Sequence, residues 1–390
     1  MPYAFIGVGQ CGGAIIDSAF SDRFMFSIAV PVAINSATLD LETLANVPRE
    51  CWIGISRERG FIPGSTQGFR HLVSGGYGKN RKLAEEHAIT HRETLREVLL
   101  QVLGGEDEAV PVGVVAFSMG GGTGSGAGPV VARLLKEMNI PVVAVAVLPA
   151  SHEGGLSAKN AVECLNALID SADSVILVDN QKIAHSETME ALFRKYNSYV
   201  ARGICDILAG TAKEGIGAEE QSYAPVLDLK DMISATTFSA GRRTLPGFAA
   251  LGRASERTRG FLHYLFPFGG YREVDVVSLL YRSFMKLTVS GVAPEQAEKN
   301  LALLRVPPAY LSDTGRINTS MAKEVMEEHS RIGETHFGVA MTRRNIASAT
   351  VLMTYRPAQI GRFEELERLA AQHQEVTLKV FEEYERRGEE

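Results

Sequence analysis

The 390-residue chain carries 40 Lys and Arg against 46 Asp and Glu, a net charge of −6 and a pI near 5.9, which argues against a dedicated nucleic-acid binder. With 45% hydrophobic and 22% charged residues it reads as an ordinary globular protein of two or three domains, and no apolar run approaches the roughly 20 residues of a membrane span. The four cysteines, Cys11, Cys51, Cys164 and Cys205, show neither CxxC nor metal spacing, and no basic leader precedes the apolar run at 3–8, so reduced thiols and a cytoplasmic location are expected.

Tyr3-Ala4-Phe5-Ile6 reads as a first strand. It runs into Gly7-Val8-Gly9-Gln10-Cys11-Gly12-Gly13, with a helix predicted from about residue 14. Formally this is G-x-G-x-x-G between a strand and a helix, the dinucleotide fingerprint. A dinucleotide site also needs an acidic residue about 20 residues on, at the end of the second strand, to hold the ribose. Here that strand, 30–34, ends in Asn35-Ser36, and the first carboxylate is Asp40. An NAD-dependent oxidoreductase built on 7–12 stays as an alternative that lacks its second requirement. Ser74-Gly75-Gly76-Tyr77-Gly78-Lys79-Asn80 is another glycine-rich turn, ahead of a long helical pattern carried by Leu83, Ala84, Leu95, Val98, Leu99 and Val102.

The densest glycine run follows the buried-strand pattern at 112–117. It is Gly120-Gly121-Gly122-Thr123-Gly124-Ser125-Gly126, and the apolar spacing at 129–135 beyond it is helical, with Pro129 expected in the first turn. Strand, glycine loop and helix together form an anion site, because backbone N–H groups turn inward at a helix N-terminus. The lysine of a P-loop is absent, since Ala127 follows Gly126. Backbone amides, with hydroxyls at Thr123 and Ser125, are therefore predicted to cradle a nucleotide's phosphates with little help from lysine.

A further apolar strand at 140–148 leads into Pro149-Ala150-Ser151-His152-Glu153-Gly154-Gly155, a helix to about 170, and a strand at 174–178 that ends in Asp179-Asn180. Repeated strand, loop and helix predict an α/β fold with a doubly wound, mostly parallel sheet, its glycine turns gathered at the carboxyl ends of the strands. A long helix at 187–208 has a broad apolar face, which core packing largely explains. On it Phe193 and Asn197 stand at i and i+4, where an aromatic ring and a carboxamide are suited to stack on a purine and bond its edge. The small, polar stretch 210–221 reads as a linker. In Val226-Leu227-Asp228-Leu229-Lys230-Asp231 the two carboxylates at i and i+3 read by default as helix-start acids.

From about 234, β-rich runs (247–254, 336–341, 347–355) alternate with helices predicted at 274–285, 294–304 and 319–328, a smaller α+β domain. Residues 259–271 are aromatic-rich, and 363–384 form an amphipathic helix. No H-E-x-x-H occurs, none of the 9 His pairs convincingly as part of a catalytic set, and one subunit offers no evident metal ligand set.

The run at 120–126 resembles the signature of the tubulin/FtsZ superfamily of GTPases, and the resemblance extends over most of the chain. Gly9-Gln10-Cys11-Gly12 is similar to tubulin's first nucleotide loop, and Ala33-Ile34-Asn35-Ser36 to the loop after its second strand. Gly75 to Asn80, with Gly76, Tyr77 and Gly78, is similar to FtsZ's γ-phosphate-sensing loop. Glu153 falls where the family holds the ribose, while Phe193 and Asn197 match the guanine-binding pair of its central helix. Asp228 and Asp231 match the acidic pair of the synergy loop, which completes the next subunit's site in trans. The resemblance implies GTP and GDP as ligands, Mg2+ as the accompanying cation, and a head-to-tail homopolymer that hydrolyses GTP at its subunit interface. It implies no nucleic-acid partner and no direct membrane insertion, and it leaves adaptor proteins open.

Two departures from FtsZ stand out. Val226 replaces the usual Asn before the acidic pair, and Ser157 stands where FtsZ often has an Arg four residues after the ribose Glu. His152-Glu153-Gly154-Gly155-Leu156 with Asn160 beyond, and Val226-Leu227-Asp228, look more like the archaeal CetZ group, as does the Asn35-Ser36-Ala37 turn. Asn160 and Asp179 join the expected nucleotide-binding set. The implied organisation is a GTPase domain at 1–185, a central helix at 186–209, a synergy-loop region at 210–233, an α+β domain at 234–358 and a C-terminal helix at 359–390. A nucleotide-binding structural homologue with little hydrolysis is the remaining alternative, kept open by Val226.

Overall fold

The computed structural model describes residues 2–105, 110–183, 189–212, 226–240, 243–259, 272–310, 317–342 and 344–388. Most of the predicted linker and nearly all of the aromatic-rich stretch lie outside these residues. The chain divides into two compact units, residues 1–197 with 360–390, and residues 198–359.

In the first unit β1 (Tyr3–Val8) feeds α1 (Gly9–Phe20) directly. There follow β2 (Ala29–Asn35), the hairpin β3 (Trp52–Ser56) and β4 (Gly60–Pro63), then α2 (Arg81–Thr90) and α3 (Arg92–Leu103). Next come β5 (Gly113–Ser118), α4 (Thr123–Glu137), β6 (Val142–Leu148), α5 (Gly155–Ser171) and β7 (Ser174–Asp179). The strand order is β7-β6-β5-β1-β2-β3-β4, parallel throughout except β4. Apart from Ser118, every residue of β1, β5, β6 and β7 is buried, as expected of parallel strands covered on both faces. The chain leaves β1 for β2 on one side and returns as β5 on the other. That reversal is the switch point at which open α/β sheets bind ligands.

Three details differ from the sequence expectation. Helix α1 begins at Gly9, not near residue 14, because Gly9 turns the chain at once with φ +73. Gly12 then lies inside the helix, where a Cβ would collide with the Ala116 carbonyl of β5. Helix α4 begins at Thr123, so Pro129 sits past its first turn and deprives the Ser125 carbonyl of its usual donor. The helical pattern of 83–102 is broken at His91 into α2 and α3.

Helix α6 (Met189–Thr211) crosses the division between the units. The second unit continues with α7 (Leu229–Ala235), the hairpin β8 (Thr237–Ala240) and β9 (Arg243–Pro246), β10 (Phe248–Arg257) and α8 (Val276–Phe284). It ends with β11 (Lys299–Val306), α9 (Thr319–Glu328), β12 (Glu334–Met341) and β13 (Ile346–Tyr355). The strand order is β12-β11-β13-β10, with β11 and β12 parallel and the other pairs antiparallel. The helix predicted at 294–304 is instead a short 3-10 turn, Pro294–Gln296, followed by β11. Leu301 to Leu304 are all buried, and a central strand covered on both faces has no period to distinguish it from a helix.

Asp206 of α6 ties this unit together: its carboxylate meets Arg253 at 2.7 Å, Arg305 at 2.5 Å and the hydroxyls of Ser348 and Thr350 at 3.2 and 3.1 Å. Burial pushes its pKa up, but the two guanidiniums outweigh that and hold it below the usual carboxylate range. Helix α10 (Gly361–Gly388) belongs to the first unit and packs on α5. No helix among the described residues is long and apolar enough to cross a membrane.

Candidate nucleotide site

At the carboxyl ends of β1, β2 and β5 the glycine turns meet. Gly9 lies against Gly124 and Thr123 of the central loop, and Gly122 lies against the backbone of Lys79 and Asn80. Ser36, just past β2, joins the central loop to the 74–80 turn. Its hydroxyl is 2.7 Å from that of Thr123, and its carbonyl accepts the N–H groups of Gly75 and Gly76 at 2.7 and 3.0 Å. Asn35 supports the turn: its amide oxygen accepts from Ser36 and Ala37, and its NH2 donates to Asp40.

Helices α1, α4 and α5 all start here without a side-chain cap, as α3 does elsewhere, whereas α2, α7, α8 and α9 are capped by Asn80, Asp228, Asp275 and Asn318. The first-turn N–H groups of α1 and α4 have no partner inside their own helices, and both helix dipoles favour an anion at the same edge. Thr123 stays half-buried, but Ser125 is buried and its hydroxyl turns back to the Gly121 and Gly122 carbonyls. Ser125 thus closes the loop on itself, and Thr123 is the hydroxyl left beside the cradle.

A second rim comes from 149–160. The Glu153 carboxylate accepts from the Ala150 N–H at 2.9 Å and the Asn180 amide at 3.1 Å. Asn160 is buried and donates to the carbonyls of Lys79, Gly120 and Gly121, which pins the central loop to the 74–80 turn. Lys79, at a left-handed φ of 66, reaches across to the Ser157 hydroxyl at 2.8 Å and the Glu153 carbonyl at 3.3 Å. Cys11 is half-buried beside Gln10, which is exposed; desolvation first, and then the Glu153 charge, push its thiol up to about 12, so it stays protonated.

Other predicted residues have different surroundings. Tyr77 is buried, its hydroxyl hydrogen-bonded to His87, and desolvation raises its pKa to about 12. Asp179 is fully buried and set against Arg362 of α10 at 3.2 Å, while it accepts the Gln181 N–H. Arg362 also donates to the Pro149 carbonyl and the Ser151 hydroxyl, so α10 anchors the loop that carries Glu153. Phe193 and Asn197 stand half-buried one turn apart on α6.

In the second unit Asp228 and Asp231 form a capping box at the start of α7: each carboxylate accepts the other residue's N–H at 2.9 Å. This is the helix-start arrangement that the i, i+3 spacing predicts. The sequence does not single out Ser36, Lys79 or Arg362 as site residues, because their defining contacts, to Thr123, Glu153 and Pro149, lie 87, 74 and 213 positions away.

Residues 3–187 match the family model described as Tubulin/FtsZ family, GTPase domain. The chain is 28% identical to the tubulin-like protein CetZ3 of Haloferax volcanii over 97% of this chain and 94% of that protein. It is 30% identical to the cell division protein FtsZ of Pseudomonas aeruginosa over 52% of this chain and 47% of that one. Its fold matches the GDP-bound monomer of CetZ1 from H. volcanii with a TM-score of 0.74 at 24% identity, covering 96% of this chain and 100% of that chain. The GTPγS-bound protofilament of CetZ2 from the same organism gives 0.72 at 23% identity, with the same coverage. The glycine pattern at 7–12 therefore lies within a matched GTPase domain. Residues 3–187 are thus a Tubulin/FtsZ family GTPase domain, and the chain resembles CetZ proteins along nearly its whole length.

Proposed function

We propose that this protein binds GTP at the edge of β1, β2 and β5, assembles head to tail and hydrolyses GTP at the subunit interface. The observation that carries this is the pair of uncapped helix N-termini, α1 and α4, brought together at the sheet's switch point by Gly9, Ser36 and Thr123. Such a cradle of N–H groups holds phosphate oxygens and stabilises the charge that builds up during phosphoryl transfer. Phe193 and Asn197 take the guanine and Glu153 the ribose, while Asp228 and Asp231 of the next subunit orient the attacking water. A heterologous interface of this kind does not close, and a filament follows. The GDP-bound monomer and GTPγS-bound protofilament of the two Haloferax relatives support the reading, and a cytoskeletal role in cell shape or division is proposed with it.

Among the described residues no three His, Cys, Asp or Glu side chains are grouped to hold a metal. Mg2+ is accordingly proposed only as a companion of the nucleotide phosphates, and no step is routed through it. Phosphate release measured against protein concentration tests the function. Turnover per subunit should rise steeply and then plateau, and Asp231→Ala should spare GTP binding while lowering turnover at least tenfold. Turnover per subunit that is flat with concentration would refute interfacial catalysis.

The capping box favours a second reading. If Asp228 and Asp231 serve α7 alone, the protein is a nucleotide-dependent polymer with little hydrolysis, and phosphate release above the assembly threshold would stay at background.

A further inference from the structure

The capping box accounts for only one oxygen of Asp231. Oδ2 accepts the Asp228 N–H at 2.9 Å, whereas Oδ1 faces Nδ1 of His336 at 3.2 Å. His336 comes from β12, 105 residues away, and α7 needs no such partner in order to be capped. The ring's other nitrogen lies 3.5 Å from Glu334, two residues back along the strand. Glu334 is itself fixed by the Ser234 hydroxyl and Lys299, each at 2.7 Å. Burial opposes its ionisation, but Lys299, Ser234 and His336 together hold its carboxyl below the usual range.

The result is a chain Asp231–His336–Glu334–Lys299 that ends on a carboxylate about one-third exposed, 35% by side chain. Asp231 and His336 both line a cleft of about 340 Å3 with Leu227, Phe337, Ser320 and Lys323. Pairs this exposed contribute little to stability. What the chain does supply is orientation: with Oδ2 on an amide and Oδ1 on an imidazole, both oxygens are held against rotation of the carboxylate plane.

We infer that His336 is a positioning residue, which holds the Asp231 carboxylate in the orientation that completes the neighbouring subunit's nucleotide site. The inference rests on the role of Asp231 proposed above. With Nδ1–H donating to Asp231, the imidazole leaves the carboxylate's remaining lone pairs directed toward the cleft, where a water of the next subunit's site is received.

The test compares wild type, His336→Ala, His336→Asn and Asp231→Ala in three measurements: GTPγS affinity, the critical concentration for assembly on GTPγS, and GTP turnover by assembled protein. His336→Ala should bind and assemble like wild type and turn over roughly tenfold more slowly. His336→Asn keeps a donor near the Nδ1 position and should recover most of the rate. Turnover at the wild-type rate in His336→Ala overturns the inference. So does a loss of assembly that matches the loss of turnover, which would make His336 a folding or interface residue. If Asp231→Ala hydrolyses GTP normally, the reading of Asp231 itself fails, and this is visible without any His336 variant.

Discussion

Lys79 is one of two non-glycine residues with a positive φ among those described, at 66°, a backbone geometry that costs a side-chain-bearing residue roughly 1–2 kcal/mol. The turn that imposes it brings the ammonium to the Ser157 hydroxyl and the Glu153 carbonyl, both neutral acceptors. By its resemblance to FtsZ, Ser157 falls where an arginine is common, and Lys79 brings a positive charge to that hydroxyl from a different loop. A cation whose partners among the described residues are neutral, beside two uncapped helix N-termini, is available to an entering phosphate. A hydrogen bond between charged groups is worth about 1.5–3 kcal/mol, roughly 10- to 100-fold in affinity. Lys79→Met should therefore weaken GTPγS binding by about that factor, and Lys79→Arg should restore much of it. The residue is exposed, so the melting temperature should barely move. Equal GTPγS affinity in wild type and Lys79→Met, measured by calorimetry, would remove the lysine from the site.

The elements of the first unit were legible in sequence because each strand runs into a glycine turn and each turn into an amphipathic helix. The same grammar placed the cradle at 120–126, and the i, i+3 spacing of Asp228 and Asp231 gave their capping box. It failed at β11, where burial on both faces erases the period, and at the start of α1, where Gly9 turns the chain against the central loop and Gly12 packs on β5 inside the helix. The Ser36–Thr123 and Asp231–His336 contacts span 87 and 105 residues, and no local pattern encodes them. Within the central loop the glycines divide by what surrounds them. A Cβ on Gly124 would press on the Ser118 carbonyl, but a Cβ on Gly121 meets no heavy atom within 4 Å. Gly121 has no positive φ either, so Gly121→Val is compatible with the fold while it fills space at the cradle. This variant should lie within about 1 kcal/mol of wild-type stability and lose nucleotide affinity at least tenfold. Unchanged GDP affinity would place the ligand elsewhere.

At the scale of the whole molecule, the cradle and the acidic pair belong to different compact units of one chain. If they act on the same nucleotide only across an interface, each subunit contributes one half-site to each of its two neighbours. Two defective chains can then complement each other. Gly121→Val keeps Asp228 and Asp231 but loses the cradle, and Asp231→Ala keeps the cradle but loses the acid. Alone, neither variant should release phosphate above background. In an equimolar mixture, an interface works when an Asp231→Ala subunit holds the nucleotide and a Gly121→Val subunit supplies the carboxylates. Random head-to-tail order makes that about a quarter of all interfaces. Phosphate release by the mixture should approach about a quarter of the wild-type rate at the same total concentration, and it should vanish on dilution below the assembly threshold. Gly121→Val need only join the polymer for this to occur, which co-sedimentation with Asp231→Ala verifies directly. A mixture that co-sediments yet stays silent would mean that each chain acts on its own nucleotide. The polymer would then be a consequence of GTP binding, with no part in hydrolysis.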